Sequence, residues 1–113
     1  MESDSLFVIV LTTFPAEADA GPLAQALVDE RLAACVNILP VMQSVYVWEG
    51  ATEHAEERQL LIKTTRTRLA EVEARVSDLH PYDVPEFVVI PIITGTRDYF
   101  SWLADSTNPS TPN

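Results

Sequence analysis

The order of the hydrophobic patterns along this chain constrains its fold more than any other feature. Short runs that are β-branched or alternate in polarity predict strands, and apolar residues spaced three or four apart predict helices. The strand patterns cover residues 6–11, 35–48, 57–65 and 87–93. The helical stripes comprise Leu23, Ala24, Leu27 and Val28 with Leu32 near the end, and then Leu69, Val72, Val76 and Leu79. The elements follow the order β-α-β-β-α-β in a single domain of 113 residues.

The second and third strand patterns lie close in sequence and predict a long hairpin. Pro40 interrupts the first of them and predicts a bulge or bend, and Glu49-Gly50 begins the turn. His54 then falls at the tip with Glu53, Glu56 and Glu57, where a solvated turn is the simplest interpretation and a surface cation site is the alternative. The whole order predicts an α+β, ferredoxin-like fold, in which both main helices lie on one face of an antiparallel sheet. Pro91 predicts an edge position or a bulge for the last strand.

Residues that begin or stop helices mark the ends of the helical stripes. Asp19 is the expected N-cap of the first helix and Thr67 that of the second, while His80-Pro81 stops the second. Residues 98–104 predict a short C-terminal helix that places Tyr99, Trp102 and Leu103 on the core. We therefore expect a folded core over about 6–104, with flexible tails at 1–5 and 105–113.

The first strand pattern is apolar throughout, which predicts a strand covered on both faces. The sheet face without helices carries Leu, Val, Tyr or Trp in several strands, and a monomer would expose a sizeable apolar patch there. Such patches mark interfaces, so an oligomer is expected, although the pattern does not give the number of subunits.

The charge balance excludes two classes of partner. Lys and Arg total 7 against 17 Asp and Glu, for a formal net charge of −10. Nucleic acid and anionic membrane surfaces would be repelled by this field, so neither is an expected partner. The acidic start and the absence of a long apolar run give no sign of a signal peptide or a membrane span, and we expect a cytoplasmic protein.

Five short motifs in register carry a resemblance to a known family. They are Glu-Arg-Leu-Ala-Ala-Cys-Val-Asn-Ile at 30–38, Ser-Val-Tyr-Val-Trp-Glu-Gly at 44–50, Leu-Ile-Lys-Thr at 61–64, His-Pro-Tyr-Asp-Val-Pro-Glu at 80–86 and Tyr-Phe-Ser-Trp-Leu at 99–103. In order and spacing the set resembles the CutA-type divalent-cation-tolerance proteins. The resemblance covers residues 6–103.

The resemblance implies a ferredoxin-like subunit in a tight homotrimer, similar in shape to the PII signalling proteins. It implies a role in tolerance of divalent cations, copper above all, and no established catalytic reaction or organic cofactor. An animal branch of the family is linked to anchoring acetylcholinesterase at membranes, and nothing in this sequence suggests that role. We therefore expect a homotrimer that responds to metal ions and is not an enzyme.

Two residues are candidate metal ligands. The resemblance points to His80, whose imidazole suits copper, and the alternative is a helix-terminating residue that bonds nearby carbonyls. Cys35, the one cysteine, would suit copper as a thiolate, and the alternative is a buried, inert thiol. The chain departs from some relatives at two further ligand positions, where it has Thr12 in place of Cys and Leu79 in place of His.

A second candidate site is a cleft between subunits. The residues expected around this cleft or at the trimer interface are Tyr46, Trp48, Lys63, Tyr82, Glu86 and Trp102. Aromatic walls with one cation and one carboxylate could hold a small metabolite, as in a PII-like signalling module. Alternatively, Lys63 and Glu86 form an ion pair that registers the trimer, and the aromatic residues are packing. A metal-dependent hydrolase is the weakest hypothesis, since the chain has two histidines and no Gly-rich phosphate loop.

Overall fold

A computed structural model describes residues 6–110 of the chain. The five strands are β1 (Phe7–Pro15), β2 (Cys35–Ile38), β3 (Met42–Trp48), β4 (Ala51–Thr65) and β5 (Val88–Pro91). The three α-helices are α1 (Gly21–Asp29), α2 (Leu69–Leu79) and α3 (Arg97–Ser106), with a 3-10 turn (Arg66–Arg68) before α2. None of the helices in this part of the chain has the length and apolar character needed to cross a bilayer.

The strands form one antiparallel sheet in the order β2-β4-β1-β5, with β3 paired to the first half of β4. The predicted α+β, ferredoxin-like order is confirmed, as are the edge position of the strand that contains Pro91 and the bend at Pro40. That bend divides the predicted second strand into β2 and β3, and both of them pair with β4. β1 also runs four residues beyond its predicted end because Thr12–Pro15 continue the ladder with β4.

β3 and β4 form a two-stranded arm that is longer than predicted. Trp48 pairs with Ala51, and both turn residues have positive φ, 50° at Glu49 and 81° at Gly50. That conformation matches the right-handed twist of a tight hairpin. The prediction that His54 lies at the tip was wrong, since it pairs with Val45 in the middle of the arm. Residues 51–56, the first part of β4, show no strand pattern in the sequence. Both faces of the arm are exposed, so this segment needs no alternation of apolar and polar residues.

The main core lies between the sheet and the two predicted helices. It is formed by Leu23 and Leu27 of α1, Val72 and Val76 of α2, and the sheet residues Val10, Leu60 and Ile62. All are at most 2% exposed. The predicted ends of the helical stripes were less accurate, because Val28 is 41% and Leu79 is 42% exposed.

Within residues 6–110, no helix covers the centre of the opposite face of the sheet. Alternate residues of β1, including Ile9 and Leu11, are half-buried there, while Val8 and Val10 are buried against the helices. Val88 and Ile90 of β5 pair with Leu11 and Ile9 and are 46% and 42% exposed. The prediction that β1 is covered on both faces therefore does not hold within one subunit. We call this surface the open face.

The helix ends differ in detail from the sequence prediction. The N-cap of α1 is Ala20 and not Asp19 as predicted, but Asp19 Oδ1 accepts a hydrogen bond from the Gly21 amide at 2.8 Å and so holds the start of the helix. The expected Thr67 cap was wrong, because the chain first makes the 3-10 turn. His80 ends α2 as predicted.

The C-terminal helix is longer than the 98–104 segment predicted. Its N-cap is Thr96, and at its other end the Arg31 guanidinium donates to the Asp105 and Ser106 carbonyls at 3.1 and 3.3 Å. Of the three residues expected on the core, Leu103 is buried, but Tyr99 and Trp102 are 41% and 45% exposed. Thr107, in the expected tail, is 2% exposed, and the predicted flexible segments 1–5 and 111–113 lie outside the described residues.

Two fully buried threonines on neighbouring strands should respond oppositely to valine. The Thr12 hydroxyl has no hydrogen-bond partner, whereas Thr64 Oγ1 donates to the Leu32 carbonyl at 2.6 Å. We expect Thr12→Val to raise the free energy of unfolding by about 1 kcal/mol, because it removes a buried polar group that is unpaired. Thr64→Val should lower it by about 1 kcal/mol, because a carbonyl loses its donor. Urea titrations of both variants check this, and a loss of stability in Thr12→Val would contradict it.

Candidate functional site

A groove of about 780 Å³ lies between β3 and the loop at 81–86 that follows α2. Its floor comes from the end of β1 and the middle of β4, and its walls come from β3 and the loop. The lining residues are Thr13, Met42, Ser44, Tyr46, Trp48, Glu57, Gln59, Pro81, Tyr82, Asp83, Val84, Pro85 and Glu86. A concave volume of this size suits a small molecule.

Alternation along β3 explains why its side chains form one wall of the groove. Ser44, Tyr46 and Trp48 share one face of β3 by alternation, and that face lines the groove. Their cross-strand partners on β4 include Ala55 opposite Ser44 and Ala51 opposite Trp48. Directly opposed residues lie on the same face of a pair, so Trp48 stands beside a small side chain, whereas Tyr46 stands beside Glu53.

His80 fixes the other wall. Its Nδ1 accepts a hydrogen bond from the Tyr82 amide at 3.0 Å, so in the neutral ring Nε2 carries the proton and donates it to the Thr13 carbonyl. The ring is 8% exposed and lies 4.5 Å from the Phe14 ring and 5.0 Å from the Tyr82 ring, between centroids. These contacts tie the start of the loop to the end of β1.

Two further hydrogen bonds join the loop to β4. The Tyr82 hydroxyl donates to Glu57 Oε2 at 3.0 Å, and Gln59 Nε2 donates to Glu86 Oε2 at 3.2 Å and to the Thr12 carbonyl at 2.8 Å. Burial of the Tyr82 phenol raises its pKa to about 12, and the hydrogen bond to Glu57 and the charge of that carboxylate act in the same direction. Tyr82 therefore stays neutral well above neutral pH.

The raised pKa of Tyr82 predicts a late step in an alkaline titration. In the unfolded chain the phenol ionises near pH 10, so its stabilising contribution is complete below pH 10 and is lost as the pH rises through about 12. We expect tyrosinate absorbance to show one phenol titrating near pH 12 in the wild type and none there in Tyr82→Phe. Identical curves for the two proteins would mean that the Glu57 contact does not persist in solution.

The structure brings four of the predicted cleft residues together and leaves two apart. Tyr46, Trp48, Tyr82 and Glu86 line the groove, whereas Lys63 and Trp102 do not. Lys63 lies on β4 between Ile9 and Cys35, and Trp102 lies on α3 with its ring 5.3 Å from that of Tyr99. Within one subunit Glu86 bonds to Gln59, and no Lys63–Glu86 ion pair occurs among the described residues.

Sequence reasoning missed Glu57 and Gln59, the two β4 residues that hold the loop. Glu57 was assigned to a solvated acidic turn, yet it is 7% exposed. The signal that could have found it is strand alternation. By alternation, Gln59 and Lys63 share one face of this strand, and Glu57, two residues before Gln59, lies on the same face.

The two candidate metal ligands lie in different parts of the subunit. Cys35 is half-buried and pairs with Lys63 of β4, which in turn pairs with Ile9 of β1, whereas His80 contacts Thr13. Ile9 and Thr13 are four residues, roughly 13 Å, apart along β1, and β4 lies between β1 and Cys35. Both ring nitrogens of His80 are engaged, and residues 6–110 contain no cluster of three or more His, Cys, Asp or Glu that could hold a metal ion. The donors of one subunit alone do not fit a copper ion.

Comparison with known proteins gives one consistent family. The family model described as CutA1 divalent ion tolerance protein matches residues 8–106. The divalent-cation tolerance protein CutA of Thermus thermophilus is 48% identical over 99 residues, covering 88% of this chain and 96% of that protein. The protein of that name from Pectobacterium atrosepticum is 43% identical over 96 residues, covering 85% and 87%.

Solved structures agree with this. The divalent cation tolerance protein from Thermus thermophilus has a TM-score of 0.87 at 47% identity, covering 91% of this chain and 100% of that one. The CutA1 structure from Oryza sativa has a TM-score of 0.87 at 39% identity, covering 96% and 100%. Both fold and sequence show that this chain belongs to the CutA divalent-cation tolerance family.

Proposed function

We propose that this chain works in divalent-cation tolerance as a homotrimer that binds Cu²⁺ at the boundaries between its subunits. Membership of the divalent-cation tolerance family supports the proposed role in tolerance. The proposal treats the protein as a binding protein without a catalytic step or an organic cofactor. Its cytoplasmic location stays a prediction from the sequence.

The exposed apolar surface supports assembly. Val45 and Val47 of the β3–β4 arm are 59% and 70% exposed, Trp48 is 53% exposed, and Ile93 after β5 is 93% exposed. Together with the open face they leave apolar side chains on several strands of one subunit in water. Soluble proteins rarely keep large contiguous apolar patches unless they form interfaces, and a homotrimer would cover these surfaces with further copies of the chain.

The separation of the donors supports a metal site shared between subunits. One imidazole or one thiol binds copper weakly, and His80 and Cys35 do not meet within a subunit. A boundary would add donors from a second chain. Binding through His80 would also require one of its two backbone hydrogen bonds to break, so Cys35 offers the more accessible donor.

A calorimetric copper titration of metal-free protein tests the metal part of the proposal. We expect saturable binding that a chelator reverses and that falls in Cys35→Ser or in His80→Ala. Unchanged binding in both variants would exclude these ligands, and no saturable binding in the wild type would overturn direct copper binding. The tolerance part is tested separately by growth of a copper-sensitive bacterial host in rising CuSO₄ with and without the chain. Equal growth would contradict that role.

The groove favours a second candidate function, a PII-like signalling module that binds a small metabolite. The observation is the convergence of Tyr46, Trp48, Tyr82, Glu57 and Glu86 around a volume of about 780 Å³. A ligand that binds the folded state raises the melting temperature. We expect this rise to be reduced by changes in the groove and unaffected by Lys63→Ala, since Lys63 lies outside the groove. A rise lost only in Lys63→Ala would place the ligand elsewhere.

A further inference from the structure

The C-terminal helix lies over one end of the open face. The Phe100 ring of α3 stacks on the Phe7 ring of β1, with 4.2 Å between the ring centroids and 16° between the ring planes. Thr65 of β4 pairs with Phe7, so its side chain lies on the same face, and its Oγ1 lies 3.4 Å from Thr107 Oγ1. Residues 95–107 therefore cross the ends of two strands, and we call this segment the strap.

The strap packs separately from the main core. Within residues 6–110, the core cluster between the sheet and the helices α1 and α2 contains no residue of α3. Leu103 is the buried residue of α3, at 0% exposed, so it packs outside that cluster. An element with its own small packing unit can open locally while the main core stays folded.

Arg31 holds the far end of the strap. It follows α1 in the chain, and its guanidinium donates to the Asp105 and Ser106 carbonyls at 3.1 and 3.3 Å. These carbonyls belong to the last turn of α3, where the α-helix itself supplies no donors. A cation at this end also complements the helix dipole. One side chain thus joins the end of α1 to the end of α3.

The backbone of Arg31 has a conformation that favours glycine. Its φ is 59°, and it is the residue after the C-cap of α1. The Leu32 amide donates to the Leu27 carbonyl and the Arg31 amide to the Val28 carbonyl, which are the two bonds of a Schellman motif. Glycine is the usual residue at this position, and an L-residue is strained there. What arginine adds is the side chain that reaches α3.

We propose that the strap opens and closes over the end of the open face as one unit, and that Arg31 is the residue that holds it closed. Opening separates Phe100 from Phe7 and lengthens the apolar open face, so the closed strap limits the surface that another copy of the chain can cover. The contacts that carry this inference lie inside one subunit. They do not depend on which surfaces are covered in an assembly, nor on copper binding.

The start of the strap is built for close contact. A Cβ added at Gly95 would lie 2.8 Å from two atoms of the Phe100 ring, so the chain turns into α3 directly against that ring. Thr96 then caps the helix through a hydrogen bond from the Tyr99 amide. The strap is thus fixed at its start by packing and at its end by Arg31.

Arg31→Gly separates the side-chain contact from the turn. Glycine adopts the left-handed conformation without strain, so the end of α1 is kept while the two bonds to α3 are lost. In native-state hydrogen exchange of the protein as purified, we expect amides 100–106 to exchange about three- to thirty-fold faster. Amides of α1 and α2 should keep their wild-type rates. Unchanged exchange in α3, or equal acceleration in α1 and α3, would overturn the proposal.

Arg75→Ala is the matched control. Arg75 donates to Glu30, the residue before Arg31, so this variant removes a guanidinium from the same region but leaves the bonds to α3 in place. Exchange in α3 should stay at the wild-type rate. An acceleration equal to that in Arg31→Gly would assign the effect to loss of positive charge and would overturn the role of Arg31.

A covalent lock between the strap and β4 gives the reverse test. The side-chain oxygens of Thr65 and Thr107 lie close together, so Thr65→Cys and Thr107→Cys introduce a pair that can be oxidised to a disulfide. Both are combined with Arg31→Gly and with Cys35→Ser, which removes the one native cysteine. In the cross-linked protein, α3 should return towards the wild-type exchange rate, and dithiothreitol should restore fast exchange. Fast exchange that persists in the cross-linked protein would show fraying of the helix instead of opening of the strap and would overturn the proposal.

Discussion

Replacing Leu27 by alanine is expected to lower the free energy of unfolding by about 2–5 kcal/mol, the range for a fully buried leucine. Leu27 is 0% exposed and lies in the core between α1, α2 and the sheet. Truncation removes apolar contacts within the core cluster, which also contains Leu60 and Ile62, and leaves a cavity that the packed sheet and helices do not collapse to fill. Chemical denaturation at one fixed chain concentration measures the loss, because the stability of an assembly depends on concentration.

Val28→Ala is the matched control, since Val28 is the next residue of α1 and is 41% exposed. It should change the free energy of unfolding by at most about 0.5–1 kcal/mol. Similar losses in the two variants would mean that α1 does not present Leu27 to the core. They would contradict the sheet-and-helix packing described above.

His80→Ala is the second change with a large expected effect, and it should lower the free energy of unfolding by about 2–4 kcal/mol. It leaves the Thr13 carbonyl and the Tyr82 amide without their partners, and each unpaired buried group costs about 1–3 kcal/mol. The ring also packs between Phe14 and Tyr82. Loss of these contacts should loosen the 81–86 loop as well as lower the overall stability.

His54→Ala makes the same replacement at an exposed position of the β3–β4 arm. The free energy of unfolding of this variant should stay within about 0.5 kcal/mol of the wild-type value. Equal effects of the two histidine variants would contradict the role of His80 in fixing the loop. The stability of His80→Ala must also be compared with its copper binding, so that loss of a ligand is not confused with loss of the loop.

The ferredoxin-like core was predictable because its elements carry clear periodicities. The stripes through Leu23–Leu27 and Val72–Val76 and the alternation in the sheet each point to one buried face. The first half of β4 was not predictable in this way. It is stabilised by backbone pairing with β3 in an arm open to solvent, so its side chains carry no hydrophobic pattern.

The candidate site was predictable only in part. Alternation along β3 placed Tyr46 and Trp48 on one face, and the family motif supplied Tyr82 and Glu86. The position of Glu57 depends on a loop that follows α2 and crosses to β4, a contact across 25 residues that no local pattern encodes.

Lys63 was predicted to lie in the cleft because the sequence assigned it to a strand. The sequence did not show which residues of the neighbouring strands pair with it. β4 runs for 15 residues, and Lys63 lies near its far end, beside Cys35. Because Lys63 lies outside the lining, the groove within one subunit combines aromatic side chains with carboxylates and does not include the cation that the sequence hypothesis placed there. The position of Lys63 is therefore the main difference between the subunit structure and the sequence hypothesis.

Native mass spectrometry with added Cu²⁺ tests the central proposal most directly, since one spectrum gives both the number of subunits and the number of bound metal ions. The account predicts a species at about three times the 12.5 kDa chain mass that gains copper, while any dissociated 12.5 kDa chain stays metal-free. A protein that remains at 12.5 kDa at micromolar concentration, or a single chain that binds copper as well as the assembly does, would contradict it.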